Sequence, residues 1–221
     1  MRYTSINYYT INHEVMARPD FNIPNDLETK DYKKFLDNFI KILRGYEKVE
    51  DRGEFYATMM HKFRRYDYNG NEYSFHLNMV KDAAMKHINF FPKEVRGHVI
   101  ASIWVHDIIE DCGETYNNVK DICSRMTADI ALAVTNIPDK NRDLRSLRTY
   151  PHIIKEGILA MFVKCCDRYA NTKFSKDSGS GMYKKYKSEY PGFRKAFHQY
   201  SPNNPIWNDL DEINEYSDDR G

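Results

Sequence analysis

The sequence predicts an all-α fold, and three observations carry that prediction. Apolar residues recur at i, i+3 and i+4 in segment after segment. Alternation with period two and β-branched enrichment is sustained nowhere. Capping residues and a first-turn proline punctuate the apolar stretches at helical lengths. No internal repeat is present.

Residues 1–29 are rich in Asn, Tyr and Thr and contain Pro19 and Pro24, which predicts an extended arm. Asp31 is a candidate cap for a helix whose stripe is Tyr32, Phe35, Leu36, Phe39, Ile40 and Leu43. Gly45 and Gly53 predict a break, followed by a helix over 54–65 with Phe55, Met59, Met60 and Phe63 on one face. Residues 66–71 form a polar turn ending in Asn69-Gly70. A third helix starts near Ser74 with Phe75, Met79, Val80 and Ala83. Pro92 suits the first turn of a helix over 93–111. Thr115 and Thr127 are candidate caps for helices over 116–124 and 128–136. The charged segment 138–148 has no clear period, and helices resume over 151–156 and 157–174. SKDSGSG at 175–181 predicts a flexible loop. A Tyr/Lys-rich helix follows, broken near Pro191-Gly192. A short helix over 205–213 offers Ile206, Trp207 and Leu210 for docking, before an acidic end. The divisions are thus an arm at 1–29, a main domain at 30–200, and a short helix with acidic tail at 201–221.

Lys and Arg number 33 against 32 Asp and Glu, a net charge of +1. That balance argues against nucleic acid as a partner, since such binders carry a clear basic excess; KKYK at 184–187 fits a solvated helix face. No apolar run approaches the roughly 20 residues that span a bilayer, which predicts no membrane partner, and the N-terminus lacks the apolar core of a signal peptide. The 4 cysteines show no CxxC spacing. They fit reduced thiols and a cytoplasmic location.

The chemistry concentrates at VIASIWVHDIIED. On a helix His106, Asp107, Glu110 and Asp111 share one side, within about 140°. Unpaired carboxylates at the end of a buried helix cost several kcal/mol each, and a divalent cation would remove that cost. The alternative is an ordinary charged helix end with Glu110 and Asp111 in water. His76 opens an apolar helix upstream. Asp167 directly follows ILAMFVKCC, the most apolar run, and is drawn toward the core where it needs a partner. Each taken singly has a structural explanation, an imidazole in a core or an Asp167-Arg168 ion pair. Their conjunction is harder to dismiss. Two imidazoles and two carboxylates suit Mn2+, Fe2+ or Zn2+.

The order His, His-Asp, Asp resembles the ligand pattern of the HD phosphohydrolases, and three segments narrow the resemblance to RelA/SpoT-type (p)ppGpp hydrolases. HKFRRYDYNGNEYSFH at 61–76 resembles H-x-x-Q-x-R-K…G-x-P-Y-x-x-H, with Arg64 and Arg65 in the Arg-Lys positions and Tyr73 and His76 in the Tyr and ligand positions. HDIIEDCGETYNNV at 106–119 is similar to H-D-x-x-E-D-T-G-x-T-x-x-x-[IV]. KCCDRYAN at 164–171 is similar to K-L-A-D-R-x-x-N. The resemblance covers residues 50–215, and the chain looks like a small single-domain form similar to the metazoan SpoT homologs.

The resemblance implies an HD-domain helical bundle with a metal site between helices. It implies a small-molecule nucleotide as substrate and hydrolysis of the 3′-pyrophosphate of (p)ppGpp to GDP or GTP and pyrophosphate. His76, His106, Asp107 and Asp167 would bind one Mn2+ or another divalent transition metal. Glu110 and Asp111 would be the catalytic carboxylates. Arg64, Arg65, Asn171 and Tyr73 would contact substrate, the Arg pair through guanine stacking and phosphate pairing. His61 is expected to be structural, and His13, His87, His98, His152 and His198 incidental. The chain departs from the pattern at Lys62-Phe63, at Glu72, and at Thr172-Lys173-Phe174 after Asn171. These departures leave the ligands intact and put guanine selectivity in question. NADPH or an adenine nucleotide is the alternative substrate, and a nucleotide-binding module without catalysis is the alternative of another class.

Overall fold

The computed structural model describes residues 8–11, 14–17 and 29–217, with side-chain surroundings for residue 34, residues 37–217 and none of the earlier ones. Chain contacts divide it into two units, Met1–Phe39 and Ile40–Gly221. In the first, β1 (Tyr8–Ile11) and β2 (Glu14–Ala17) pair antiparallel, Tyr8 opposite Ala17, where the sequence predicts only an extended arm. The rest of that arm lies outside the described residues. The helix α1 runs Thr29–Leu43, so Asp31 sits inside its first turn and is not its cap. Phe39 and Leu43 of the predicted stripe are buried, while the side chains of Tyr32, Phe35 and Leu36 lie outside the described residues.

The second unit is helical, as predicted. Among the described residues it holds α2 (Val49–Phe63), α3 (Ser74–His87), α4 (Lys93–Val105), α5 (Ile108–Cys112), α6 (Tyr116–Ile122) and α7 (Arg125–Val134). It continues with α8 (Arg142–Glu156), α9 (Ile158–Asp177), α10 (Met182–Phe197) and α11 (Ile206–Ile213). A two-residue hairpin, β3 (Asp67–Tyr68) and β4 (Asn71–Glu72), joins α2 to α3. Asn69 and Gly70 carry φ of 51° and 81°, the left-handed pair that a tight hairpin turn requires.

The core forms around α9, which packs against α3, α4, α7, α8, α10 and α11. Its Phe162, Val163, Cys165 and Cys166 are buried, which explains why the most apolar run in the sequence is also the most central helix. All four cysteines are buried and free. Ile206, Trp207 and Leu210 of α11 join the same apolar cluster, as their spacing predicts.

Several boundaries differ from the sequence reading. Gly53 does not break a helix: it lies within α2, where a Cβ would stand 3.0 Å from the Ala101 Cα of α4. A glycine that weakens a helix locally is here the condition for close helix packing. Ser124, not Thr127, caps α7, accepting the Thr127 amide, whereas Thr115 caps α6 as expected. The segment 138–148 is not irregular beyond its start, because Asn141 caps α8 by accepting the Leu144 amide at 2.9 Å. The helix α9 continues to Asp177, so the predicted loop shrinks to 178–181. Neither Pro151 nor Pro191 ends its helix. A proline inside a helix costs about 3 kcal/mol. Burying Tyr190, Phe193 and Phe197 on either side of Pro191 recovers more, at roughly 1.5–3 kcal/mol for each large side chain. Among the described residues, no helix is long and apolar enough to cross a membrane.

Candidate metal centre

The predicted helix over 93–111 is interrupted at His106-Asp107, between α4 and α5. The Ile103 carbonyl accepts the His106 Nδ1–H at 2.7 Å. Asp107 takes φ −100° and ψ −4°, the sparsely allowed bridge region where many site residues sit. The break places both side chains over α9. His76 comes from the first turn of α3 and Asp167 from the middle of α9.

The four groups converge. The His106 Nε2 lies 2.9 Å from Asp107 Oδ2 and 3.8 Å from Asp167 Oδ1. The His76 Nε2 lies 3.6 Å from Asp107 Oδ2 and 3.5 Å from Asp167 Oδ1. His76, His106 and Asp167 each bring one ligand atom within 4.8 Å of the other two. His76 and His106 are buried, and the His106 Nε2, although 2.9 Å from Asp107 Oδ2, makes no well-aligned hydrogen bond. With Nδ1 committed to a carbonyl, Nε2 is the nitrogen left to hold a cation.

The electrostatics point the same way. Burial works against the positive charge on His106, yet the Asp107 carboxylate overrides it and holds the imidazole well above its ordinary value. Burial likewise works against charge on Asp107 and Asp167, and the imidazoles, with Lys164 beside Asp167, keep both carboxyls well below theirs. Such a nest requires positive charge at its centre, either protons on the rings or a divalent ion. The buried His76, His106 and Asp167 donors could therefore hold a metal ion.

Surrounding groups hold these side chains in place. The Tyr73 hydroxyl donates to Asp107 Oδ2 at 2.5 Å, and its ring stacks on His61 at 4.1 Å between centroids. His61 donates Nδ1–H to the Ala57 carbonyl at 2.8 Å. Burial lowers its pKa to about 4, so the ring is neutral. Tyr73, expected to touch substrate, thus contacts Asp107, and it also lines the adjoining cavity.

That cavity measures about 240 Å³ and takes Glu110, Asp111 and Asn171 into its wall with His76, Asp107 and Asp167. Glu110 is held at the rim, accepting the Asn136 backbone N–H at 3.1 Å and its side-chain amide at 3.0 Å. Asp111 sits deeper, and burial together with the Asp107 carboxylate pushes its pKa up to about 6. Arg64 and Arg65 are exposed and do not line this cavity. Its cationic wall comes from elsewhere: Arg142 and Arg145 on α8, Lys164 and Arg168 on α9. Arg142 and Arg168 both pair with Glu189, at 2.9 Å each, and their guanidiniums lie 5.0 and 4.8 Å from the Tyr186 ring centre. Tyr186, in the predicted solvated KKYK face, therefore lines the cavity while Lys184 and Lys185 are exposed. The helical spacing of Arg142, Arg145 and Tyr150, and of Lys164, Asp167, Arg168 and Asn171, was the available sequence signal for these walls.

The elevated Asp111 pKa predicts a pH-dependent stability effect in the metal-free protein. Its folded value, about 6, exceeds its ordinary 3.8. Folding therefore opposes ionisation of Asp111: the cost is absent below pH 3.8, grows toward pH 6, and is complete above it. The interval corresponds to about 3 kcal/mol at most. In EDTA, Asp111→Asn is expected to melt above wild type at pH 8, with the gap closing at pH 4. A gap independent of pH in thermal melts would overturn the assignment.

No family model and no curated protein matches this chain.

Proposed function

We propose that the chain is a divalent-metal-dependent phosphohydrolase of a phosphorylated nucleotide, with the 3′-pyrophosphate of (p)ppGpp as its first candidate substrate. The observation that supports this most is the convergence of His76, His106, Asp107 and Asp167 beside a cavity that also holds Glu110 and Asp111. The substrate class comes from the resemblance in the three motif segments.

A divalent ion in this centre would supply Lewis acidity toward water and a phosphoryl oxygen. The remaining chemistry belongs to the side chains. Glu110, oriented by Asn136, accepts the proton of the attacking water. Water oxygen bonds to phosphorus, and the bond from phosphorus to the ribose 3′ oxygen breaks. Asp111, whose pKa is pushed up to about 6, is protonated in about a tenth of molecules at pH 7, and that form delivers its proton to the leaving oxygen. Arg145 lines the cavity and has no ion pair among the described residues, which leaves its charge available to phosphate.

The test is ppGpp turnover with added Mn2+, products resolved by anion exchange. GDP and pyrophosphate are expected. Arg145→Ala is expected to raise KM by roughly tenfold or more, as for loss of a hydrogen bond to a charged group, with kcat largely kept. No pyrophosphate from ppGpp at any metal concentration would refute this substrate.

One observation favours a second reading on the same centre. The Arg pair that the resemblance assigns to guanine lies outside the cavity. A different nucleotide, such as NADPH losing its 2′-phosphate, would then be the substrate. Release of orthophosphate in place of pyrophosphate distinguishes the two.

A further inference from the structure

Asn171, expected to contact substrate, has its amide engaged elsewhere. Its Nδ2 donates to Asp167 Oδ1 at 2.5 Å and to the Asp167 carbonyl at 3.1 Å. Its Oδ1 accepts the Tyr68 hydroxyl at 2.8 Å. A phenol that donates to the amide oxygen sets which end of the amide faces Asp167, since only the nitrogen end can donate to a carboxylate. At neutral pH a phenol keeps its proton and remains a donor.

Tyr68 is itself fixed. It stands immediately before the Asn69-Gly70 turn, and its ring lies over His76 at 4.7 Å and 17° between planes. Phe174 packs edge-on against it at 5.1 Å. On the other side of Asp167, Lys164 takes Oδ2 at 3.2 Å. The carboxylate is thereby held from both oxygens, with Oδ1 turned toward the two imidazoles.

We propose that Tyr68 and Asn171 form a positioning relay that sets Asp167 Oδ1 toward His76 and His106, so that Asn171 acts through Asp167 and not by holding substrate. Tyr68 then ties two groups of the centre together, His76 through its ring and Asp167 through its hydroxyl. This rests on the reading of the four residues as a metal centre. Neither residue touches the reacting atoms, and the consequence is metal affinity.

The experiment measures Mn2+ binding to the full chain by electron paramagnetic resonance and calorimetry, with no substrate present. Tyr68→Phe keeps the ring over His76 and removes only the hydroxyl. Asn171→Ala is expected to weaken Mn2+ binding by about 10–100-fold, the range for loss of a partner that orients a ligand. Tyr68→Phe is expected to weaken it less. The double variant should bind no more weakly than Asn171→Ala alone, because the hydroxyl works only through the amide. Thermal melts in EDTA check that each variant folds, and Tyr68→Phe remains decisive if Asn171→Ala does not. Wild-type affinity in both single variants, with binding lost in Asp167→Ala, would overturn the relay and leave the centre standing. A Tyr68→Phe effect that adds in full to that of Asn171→Ala would also overturn it. Wild-type affinity in Asp167→Ala would instead refute the metal centre itself.

Discussion

Asp167→Ala is expected to remove metal binding and turnover together. Asp167 supplies one of two carboxylates facing the imidazoles, 3.5 Å from His76 and 3.8 Å from His106. Its loss should weaken metal binding by more than the roughly 100-fold that marks the upper range for an orienting partner. It also leaves Lys164 without its 3.2 Å counter-charge in a site where that lysine is mostly buried. Breaking such a pair costs several kcal/mol, so the variant should melt lower as well. Asp167→Asn separates the two effects: it keeps the shape and a carbonyl toward Lys164 while removing the anionic ligand. Both variants should fail to bind Mn2+, with Asp167→Asn the more stable. Calorimetric titration with Mn2+ beside thermal melts reads both quantities. Full metal affinity in either variant would remove the basis for the proposed chemistry.

Glu110→Gln should show the opposite profile. Glu110 is exposed at the cavity rim and, among the described residues, makes its hydrogen bonds to Asn136 and none to His76, His106, Asp107 or Asp167. Gln retains its length and can still accept from the Asn136 N–H, which lies at 3.1 Å. Metal affinity, melting temperature and KM should therefore stay near wild type. Losing a positioned general base lowers kcat by about 10²–10⁴-fold. A fall in kcat together with kcat/KM, at constant metal affinity, marks an interaction made only in the transition state. Unchanged kcat would transfer the role of base to another group, with Asp111 next in line because it lines the same cavity.

Motif spacing and core proximity had different reach in this chain. Asp167 was legible because a carboxylate directly after ILAMFVKCC has to be carried inward by the helix that forms the core. His106 and Asp107 were legible as neighbours on one helix side, although the interruption between α4 and α5 was not. Periodicity reports which residues face the core, but not where a ring N–H takes a backbone carbonyl. Arg64 and Arg65 show the converse limit. Their motif position suggested the cavity, yet both are exposed and outside its lining, past the end of α2 and ahead of the hairpin. The cavity's cations come instead from α8, whose capped start at Asn141 was hidden in a charged segment, and from Lys164, one turn before Asp167, and Arg168, directly after it.

The sequence alone determined the helical class, the central apolar helix, the docking of Ile206, Trp207 and Leu210, and the residue types of the candidate centre. These follow from local periodicity and from the cost of burying charge, both of which are properties of short segments. The tertiary structure decided which cations wall the cavity, that Tyr68 and Asn171 turn toward Asp167, and that Gly53 admits α4 at close range. It also carried α10 through Pro191. Each of these depends on what a second element, distant in sequence, places opposite the residue, and such pairings are set by the packing of whole helices around α9.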